Sequence, residues 1–274
     1  MGTPNYERYK YLKVEPSDSG VTTITFNRPD ARNAVNSGMH EEIQDVWIDV
    51  ARDYDTRVVV LTGAGSTFCA GGDVKDMAQL DEPFGAGRAI DPSAVTSAEA
   101  RRTVFYMLDV EQPIISAING HAIGLGATLA LCADMTIMSA TAKIGDPHVK
   151  VGLVAGDGGA MIWPLLIGPS RAKEFLLRGH LIDGVEAERI GLVNHVRPTD
   201  EVLPMAMELA EELAALPPLA IRWTKLSVNR WLKDVYHQVF DVSIAFEQVT
   251  LRSADHKEAA RAFTERRTPR FTGR

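Results

Sequence analysis

Two glycine-dense segments limit what this chain can fold into more than anything else in its sequence. They are Phe68-Cys69-Ala70-Gly71-Gly72-Asp73-Val74-Lys75 and Asn119-Gly120-His121-Ala122-Ile123-Gly124-Leu125-Gly126-Ala127-Thr128. Each follows a run rich in branched apolar residues, Arg57 to Leu61 and Ile114 to Ile118, that reads as a buried strand. Glycine admits positive φ and lets a ligand come close to the main chain. Two such turns side by side could aim two N–H groups at one oxygen. That arrangement stabilises an enolate or a tetrahedral anion, and one donor is typically worth about 3 kcal/mol. Taken singly, each segment reads equally well as a tight turn. Gly124-Leu125-Gly126 also resembles the start of a dinucleotide loop, but the third glycine position is Leu129 and the motif lies mid-chain. No G-K-[S/T] phosphate loop is present.

The surrounding pattern is strand, loop and helix in alternation, which predicts an α/β fold over the first two-thirds of the chain. Val21 to Phe26 alternates as a strand, and Met135 to Met138 is strand-like. Met39, Ile43, Val46, Trp47 and Val50 recur at helical spacing, predicting an amphipathic helix over Ser37 to Arg52 with Ser37 near its N-cap. Thr128 to Ala133 also reads as helix. Beyond about Leu203 the character changes, and helices are expected over Met205 to Leu216, Ala220 to Trp231, Val235 to Leu251 and Asp255 to Arg266. The expected organisation is a core over residues 1–203 and a helical appendage over 204–274. Leu80 to Ala98, rich in Pro, Gly, Asp and Ser, is expected to be a long surface loop, either near a site or simply solvated.

Composition excludes several classes. At 274 residues and 45% hydrophobic, the chain can bury one sizeable core. A net charge of −7 argues against a general nucleic-acid binder. No apolar run reaches membrane-spanning length, and the N-terminus lacks signal-peptide order. Two unpaired cysteines, Cys69 and Cys132, fit a reduced, cytoplasmic setting. The histidines lack H-x-x-x-H spacing, so no metal site is expected.

The paired glycine segments, in this order and separation, resemble the signature of the crotonase (enoyl-CoA hydratase/isomerase) superfamily. The likeness extends to Phe26-Asn27-Arg28-Pro29, Leu61-Thr62-Gly63, Gly168-Pro169-Ser170-Arg171-Ala172 and the ending Arg270-Phe271-Thr272-Gly273-Arg274. It implies a spiral of ββα units with a helical C-terminal trimerisation region, and assembly as a homotrimer or a dimer of trimers. It implies an oxyanion hole made by the N–H groups of Gly72 and Leu125. Ala70 and Val74 would line the adenine and pantetheine path, and Lys75 would sit near the coenzyme A phosphates unless it is simply solvated. No separate cofactor is implied, since coenzyme A belongs to the substrate.

The chemistry departs from ordinary hydratases, which use two glutamates. One falls three residues after the second oxyanion donor, where this chain has Thr128. The other follows a proline, in the stretch that here reads Gly145-Asp146-Pro147-His148. A threonine hydroxyl cannot serve as a base near neutral pH. Histidine can, with an ordinary pKa near 6.5. Asp157, nine residues on, is a candidate to orient it. Alternatively, His148 is a loop residue held by a carbonyl, and Asp157 caps the helix expected over Gly159 to Ile167.

Pro147-His148, Gly156-Asp157-Gly158 and Trp163-Pro164 resemble a narrower branch, the 6-oxocamphor hydrolase type, which cleaves a C–C bond in cyclic β-diketones. By that likeness His40 and Glu247 join His148 and Asp157 as catalytic residues. His40 lies about 20° from Trp47 on its helix, at the rim of the apolar stripe. The branch's further histidine has no counterpart here, while the Ala70 to Lys75 loop keeps the coenzyme A type. The leading expectation is therefore hydrolytic C–C cleavage of an acyl-CoA or other β-dicarbonyl by a His148–Asp157 activated water. An enoyl-CoA hydratase or isomerase of fatty-acid or related metabolism, with a non-standard acid/base, is the alternative. A silent acyl-CoA-binding subunit is the third.

Overall fold

A computed structural model of the chain describes residues 4–73 and 92–274. Its larger sheet contains β1 (Leu12–Pro16), β2 (Val21–Phe26), β3 (Val58–Gly63), β5 (Ile114–Ile118), β7 (Met135–Ser139) and β10 (His195–Arg197), in that spatial order. Only the β1–β2 pair in it is antiparallel. The smaller sheet runs β4 (Thr67–Cys69), β6 (His121–Ile123), β8 (Lys143–Gly145) and β9 (Ile182–Asp183). Thus β3 and β4, β5 and β6, and β7 and β8 each send one strand to either sheet. That repetition is the crotonase-type spiral expected from the sequence.

The helices are α1 (Ser37–Arg52), α2 (Pro92–Asp109), α3 (Leu125–Leu131), α4 (Gly159–Ile167), α5 (Pro169–Arg178), α6 (Gly184–Arg189), α7 (Thr199–Ala214), α8 (Pro218–Leu251) and α9 (Ala254–Thr264). Strand β3 is buried on both faces, as its unbroken apolar run requires. Val58 and Val60 face α7, where Val202, Ala206, Ala210 and Ala214 recur every fourth residue. Val59 and Leu61 face the main core with Met39, Trp47, Phe68 and Met107.

Several boundaries differ from the sequence expectation. Asn36, not Ser37, caps α1, its side chain accepting the Met39 N–H at 2.9 Å. Of the stretch expected as a loop, residues 80–91 lie outside the described residues and 92–98 open α2. Pro92 starts that helix where its missing N–H costs nothing. Helix α7 begins at Thr199 with Pro204 inside it, so it straddles position 203 and packs on the large sheet. The two helices expected over Ala220 to Trp231 and Val235 to Leu251 are one helix of 34 residues. The intervening Leu232-Lys233-Asp234 contains no glycine or proline to interrupt it. Among the described residues, no helix is long and apolar enough to cross a membrane.

Candidate active site

Strands β4, β6 and β8 are parallel neighbours, so their carboxyl ends open on one edge of the small sheet. The first glycine loop leaves β4, the second leaves β6, and the turn bearing His148 leaves β8. Gly71 has φ 87°, and a Cβ there would stand 2.7 Å from Ile123 O and 3.7 Å from the Leu125 nitrogen. The two loops therefore touch, and only glycine permits it. Leu125 is the first residue of α3, so its N–H has no acceptor within the helix. Gly72 forms a parallel bridge with Val35, bonded through Val35 N–H to Gly71 O (2.8 Å) and Asp73 N–H to Val35 O (2.9 Å). Those bonds use the residues on either side of Gly72 and leave its own N–H out of the bridge. Among the described residues, neither expected oxyanion donor has a backbone partner, and the two loops touch.

Arg28 fixes the first loop. Its guanidinium donates to Asp73 Oδ2 from both terminal nitrogens at 3.1 Å, and it also bonds Ala34 O. This tie, spanning 45 residues, gives a physical role to the Asn27-Arg28-Pro29 segment. Ala70 is half-buried in the loop, its N–H on Arg32 O at 3.1 Å. Val74 and Lys75 lie outside the described residues.

The ring of His148 lies against the second loop: a Cβ on Gly124 would stand 3.4 Å from its Cε1. His148 begins a 3₁₀ turn, is buried, and has a carboxylate on each side. Asp146 Oδ1 bonds Nδ1, and also accepts the His148 backbone N–H at 3.3 Å. Asp157 Oδ2 faces Nε2 at 3.5 Å. Asp157 Oδ1 lies 3.4 Å from Thr128 Oγ1, which donates to it. Glu247, on α8, closes the cluster behind Gly156, where a Cβ would stand 2.7 Å from Glu247 Oε2. Among the described residues, Glu247 Oε2 and Asp146 Oδ2 are buried with no hydrogen-bond partner.

The structure thus brings together Gly72, Leu125, Thr128, His148, Asp157 and Glu247. It also corrects the expected pairing, because the group on Nδ1 that orients the ring is Asp146, not Asp157. Asp146 was missed, although Asp-Pro-His carries a signal: an aspartate whose carboxylate turns back to the N–H two residues on. His40 stands apart, its Nδ1 3.1 Å from Gln44 Nε2 and its Nε2 3.2 Å from Thr103 Oγ1. Burial alone pushes its pKa down to about 4, without a contribution from the carboxylates around His148. Gly158, rather than Asp157, caps α4.

Electrostatics changes the role of His148. Burial works against its imidazolium, but Asp157 and Asp146 outweigh that and raise its pKa from 6.5 to about 10. The two carboxylates thus favour the protonated ring, the form that can give a proton, over the base its ordinary pKa implies. Burial pushes the Asp157 carboxyl up, opposed by the charge on His148. Burial, followed by the charge of Asp157, raises Glu247 from 4.5 to about 8. Ligand atoms of Asp146, His148 and Asp157 lie within 4.8 Å of one another, a grouping that chain spacing did not reveal. The two aspartates lie nearest opposite ring nitrogens, Asp146 at Nδ1 and Asp157 at Nε2.

Comparison with known proteins identifies the family. The enoyl-CoA hydratase/isomerase family model matches residues 17–274. A solved enoyl-CoA hydratase/isomerase from Mycobacterium paratuberculosis superposes with TM-score 0.86 at 33% identity, covering 93% of this chain and 99% of that one. The short-chain-enoyl-CoA hydratase of Clostridium acetobutylicum is 34% identical over 90% of this chain and 92% of its own length. The 1,2-epoxyphenylacetyl-CoA isomerase of Escherichia coli is 32% identical over 94% of this chain and 97% of its own. With matching fold, loops and near-complete coverage, the chain belongs to the enoyl-CoA hydratase/isomerase family of the crotonase superfamily.

Proposed function

We propose that the protein adds water to, or shifts a proton along, an α,β-unsaturated acyl-CoA thioester, with Asp157 and His148 standing in for the two glutamates of ordinary hydratases. The observation that carries this reading is the 3.4 Å contact of Thr128 Oγ1 with Asp157 Oδ1. This contact sets the Asp157 carboxylate, just ahead of α4, beside the residue that stands where ordinary hydratases have a glutamate. His148 stands at the second glutamate position itself. Relatives named short-chain-enoyl-CoA hydratase and 1,2-epoxyphenylacetyl-CoA isomerase support thioester chemistry.

In hydration, the thioester oxygen lies between the Gly72 and Leu125 N–H groups, which hold the charge of the enolate. Asp157 takes a proton from water as the hydroxyl bonds to Cβ. The Nε2 proton of His148 passes to Cα, while Asp146 keeps Nδ1 protonated and the ring aligned. The proton on Asp157 then returns to Nε2 across the 3.5 Å gap, restoring the site. Glu247, held toward its neutral form by burial, limits the negative charge around Asp157.

Hydrolytic C–C cleavage of a β-dicarbonyl is the second reading. His148, Asp157 and Glu247, three of the four positions of the 6-oxocamphor hydrolase likeness, are clustered and favour it. It needs neutral His148 as base, a form that the neighbouring Asp157 and Asp146 carboxylates disfavour. Assembly into trimers is proposed on the same family likeness. It is supported by exposed Trp223, Trp231, Phe246 and Val249 along α8, and light scattering of the purified protein tests it.

The deciding experiment incubates the protein with crotonyl-CoA, longer enoyl-CoA esters and acyclic and cyclic β-dicarbonyls, with products read by mass spectrometry. Addition of water to an enoyl-CoA without fragmentation, lost in His148→Ala and Asp157→Ala, is the expected result. Cleavage into two acyl fragments, or ring opening to a carboxylate, would transfer the assignment to the second reading.

A further inference from the structure

The loop from His148 to Asp157 carries both members of the acid–base pair, and its outer side rests on the last two helices. His256 Nδ1 lies 2.7 Å from Val151 O. A carbonyl only accepts, so Nδ1 carries the proton of that ring. Three residues on, the Val154 N–H donates to Thr250 Oγ1 at 3.2 Å. Within the loop, the Leu153 N–H bonds His148 O at 2.9 Å, the Gly152 N–H bonds Val149 O at 3.3 Å and the Gly156 N–H bonds Val154 O at 2.9 Å.

The fit between loop and helices is close. A Cβ on Gly152 would stand 2.9 Å from the His256 nitrogen, and one on Gly156 would stand 2.5 Å from Ser243 O. His256 is in turn held at the start of α9, its N–H on Ser253 Oγ at 3.0 Å. The following tail bonds the same turn: Ala254 N–H to Arg274 O at 2.7 Å, and Thr272 and Gly273 N–H to the Asp255 carboxylate at 2.6 and 2.8 Å.

We propose that His256 and Thr250 are positioning residues, which strap the 148–157 loop to α8 and α9 so that His148 Nε2 and Asp157 Oδ2 stay opposed beside the second glycine loop. The C-terminal helices thereby serve chemistry within their own chain, in addition to any part in assembly. The physical reason is local. The loop's internal bonds are short-range, from the Gly152, Leu153 and Gly156 N–H groups to Val149, His148 and Val154 O, so they leave its placement against α8 and α9 to contacts such as these two side-chain bonds. The 3.5 Å gap between Nε2 and Oδ2 tolerates little drift. Three charged or titratable groups face His148: Asp146 from its own turn, Asp157 from the start of α4 and Glu247 from α8. Movement of the loop changes the distance to the last two. The proposal rests on His148 and Asp157 being the acid–base pair.

The test uses the full-length protein and the variants His256→Ala, His256→Asn and Thr250→Val. Asparagine offers its side-chain N–H where histidine offers Nδ1–H. The imidazole of His148, identified by its loss in His148→Ala, is titrated by NMR, and amide exchange of residues 148–157 is followed by mass spectrometry. In His256→Ala, exchange of this loop should speed up by two- to tenfold, the equivalent of one ordinary hydrogen bond. The His148 titration should move toward its ordinary value, and both changes should be reversed in His256→Asn. With enoyl-CoA as substrate, kcat should fall by a similar factor at unchanged KM. An unchanged His148 titration in His256→Ala overturns the proposal, as does equal behaviour of the Ala and Asn variants. If the titration shifts but His148→Ala and Asp157→Ala leave turnover intact, the catalytic reading fails and the strap stands.

Discussion

Glu247→Gln isolates one buried charge while keeping the shape of the side chain. In the folded chain Glu247 holds its proton to about pH 8, against 4.5 for an ordinary glutamate. Burial is the larger cause, and the Asp157 carboxylate beside it adds to it. The folded chain therefore binds a proton over a range in which the unfolded chain has lost it. Stability from this group is full below about pH 4.5 and is lost as pH rises through about 8. At 1.36 kcal/mol per tenfold, the loss is at most about 5 kcal/mol. Glutamine never ionises and escapes it. His148 contributes a decline of the same sign, between 6.5 and about 10; its main causes, Asp157 and Asp146, remain in both proteins, and only the smaller Glu247 contribution is lost in the variant. Urea unfolding of wild type and Glu247→Gln at pH 5, 7 and 9 should give similar stabilities at pH 5, with the variant pulling ahead by several kcal/mol at pH 9. Parallel stability curves across that range would refute the claim that Glu247 is buried, neutral and pressed by Asp157.

Other outcomes follow from the same geometry. Asp157→Gly should lower enoyl-CoA turnover by about 100-fold or more, and adding Thr128→Glu should restore at least about tenfold of it; no recovery would mean that Asp157 does not occupy the space of an acid at 128. Arg28→Met releases Asp73 from its two 3.1 Å bonds, so turnover should fall about tenfold while the melting temperature changes little. Equal losses of activity and stability would make Arg28 a structural residue alone. Leu61→Ala empties a fully buried position in β3 and should cost about 2–5 kcal/mol in chemical denaturation; a loss under about 1 kcal/mol would contradict its place in the main core.

Much of this protein can be read from its sequence because the signals are local. Buried strands announce themselves as β-branched runs, as in Val58 to Leu61 and Ile114 to Ile118. The contact between the two glycine loops was foreseeable because each ends a strand and each carries glycine where only a bare backbone fits. The stripe Met39, Ile43, Val46, Trp47 and Val50 specified α1 to within one residue of its cap. A continuous 34-residue α8 was harder to see, since charged residues in the middle of a long helix look like the end of a short one.

What only the tertiary structure decided is the chemistry of the site. Sequence proximity suggested that Asp157 orients His148, but the fold puts Asp146 on one ring nitrogen and Asp157 on the other. Local reasoning assigned His148 the ordinary imidazole pKa, which describes a base. Enclosed between two carboxylates, with Glu247 arriving from α8 ninety-odd residues later in the chain, the ring is biased toward its cation and Glu247 toward its neutral acid. The reason is that protonation depends on desolvation and on charges summed through space. Neither quantity is carried by residue type or spacing along the chain; both exist only once distant segments share one dry volume.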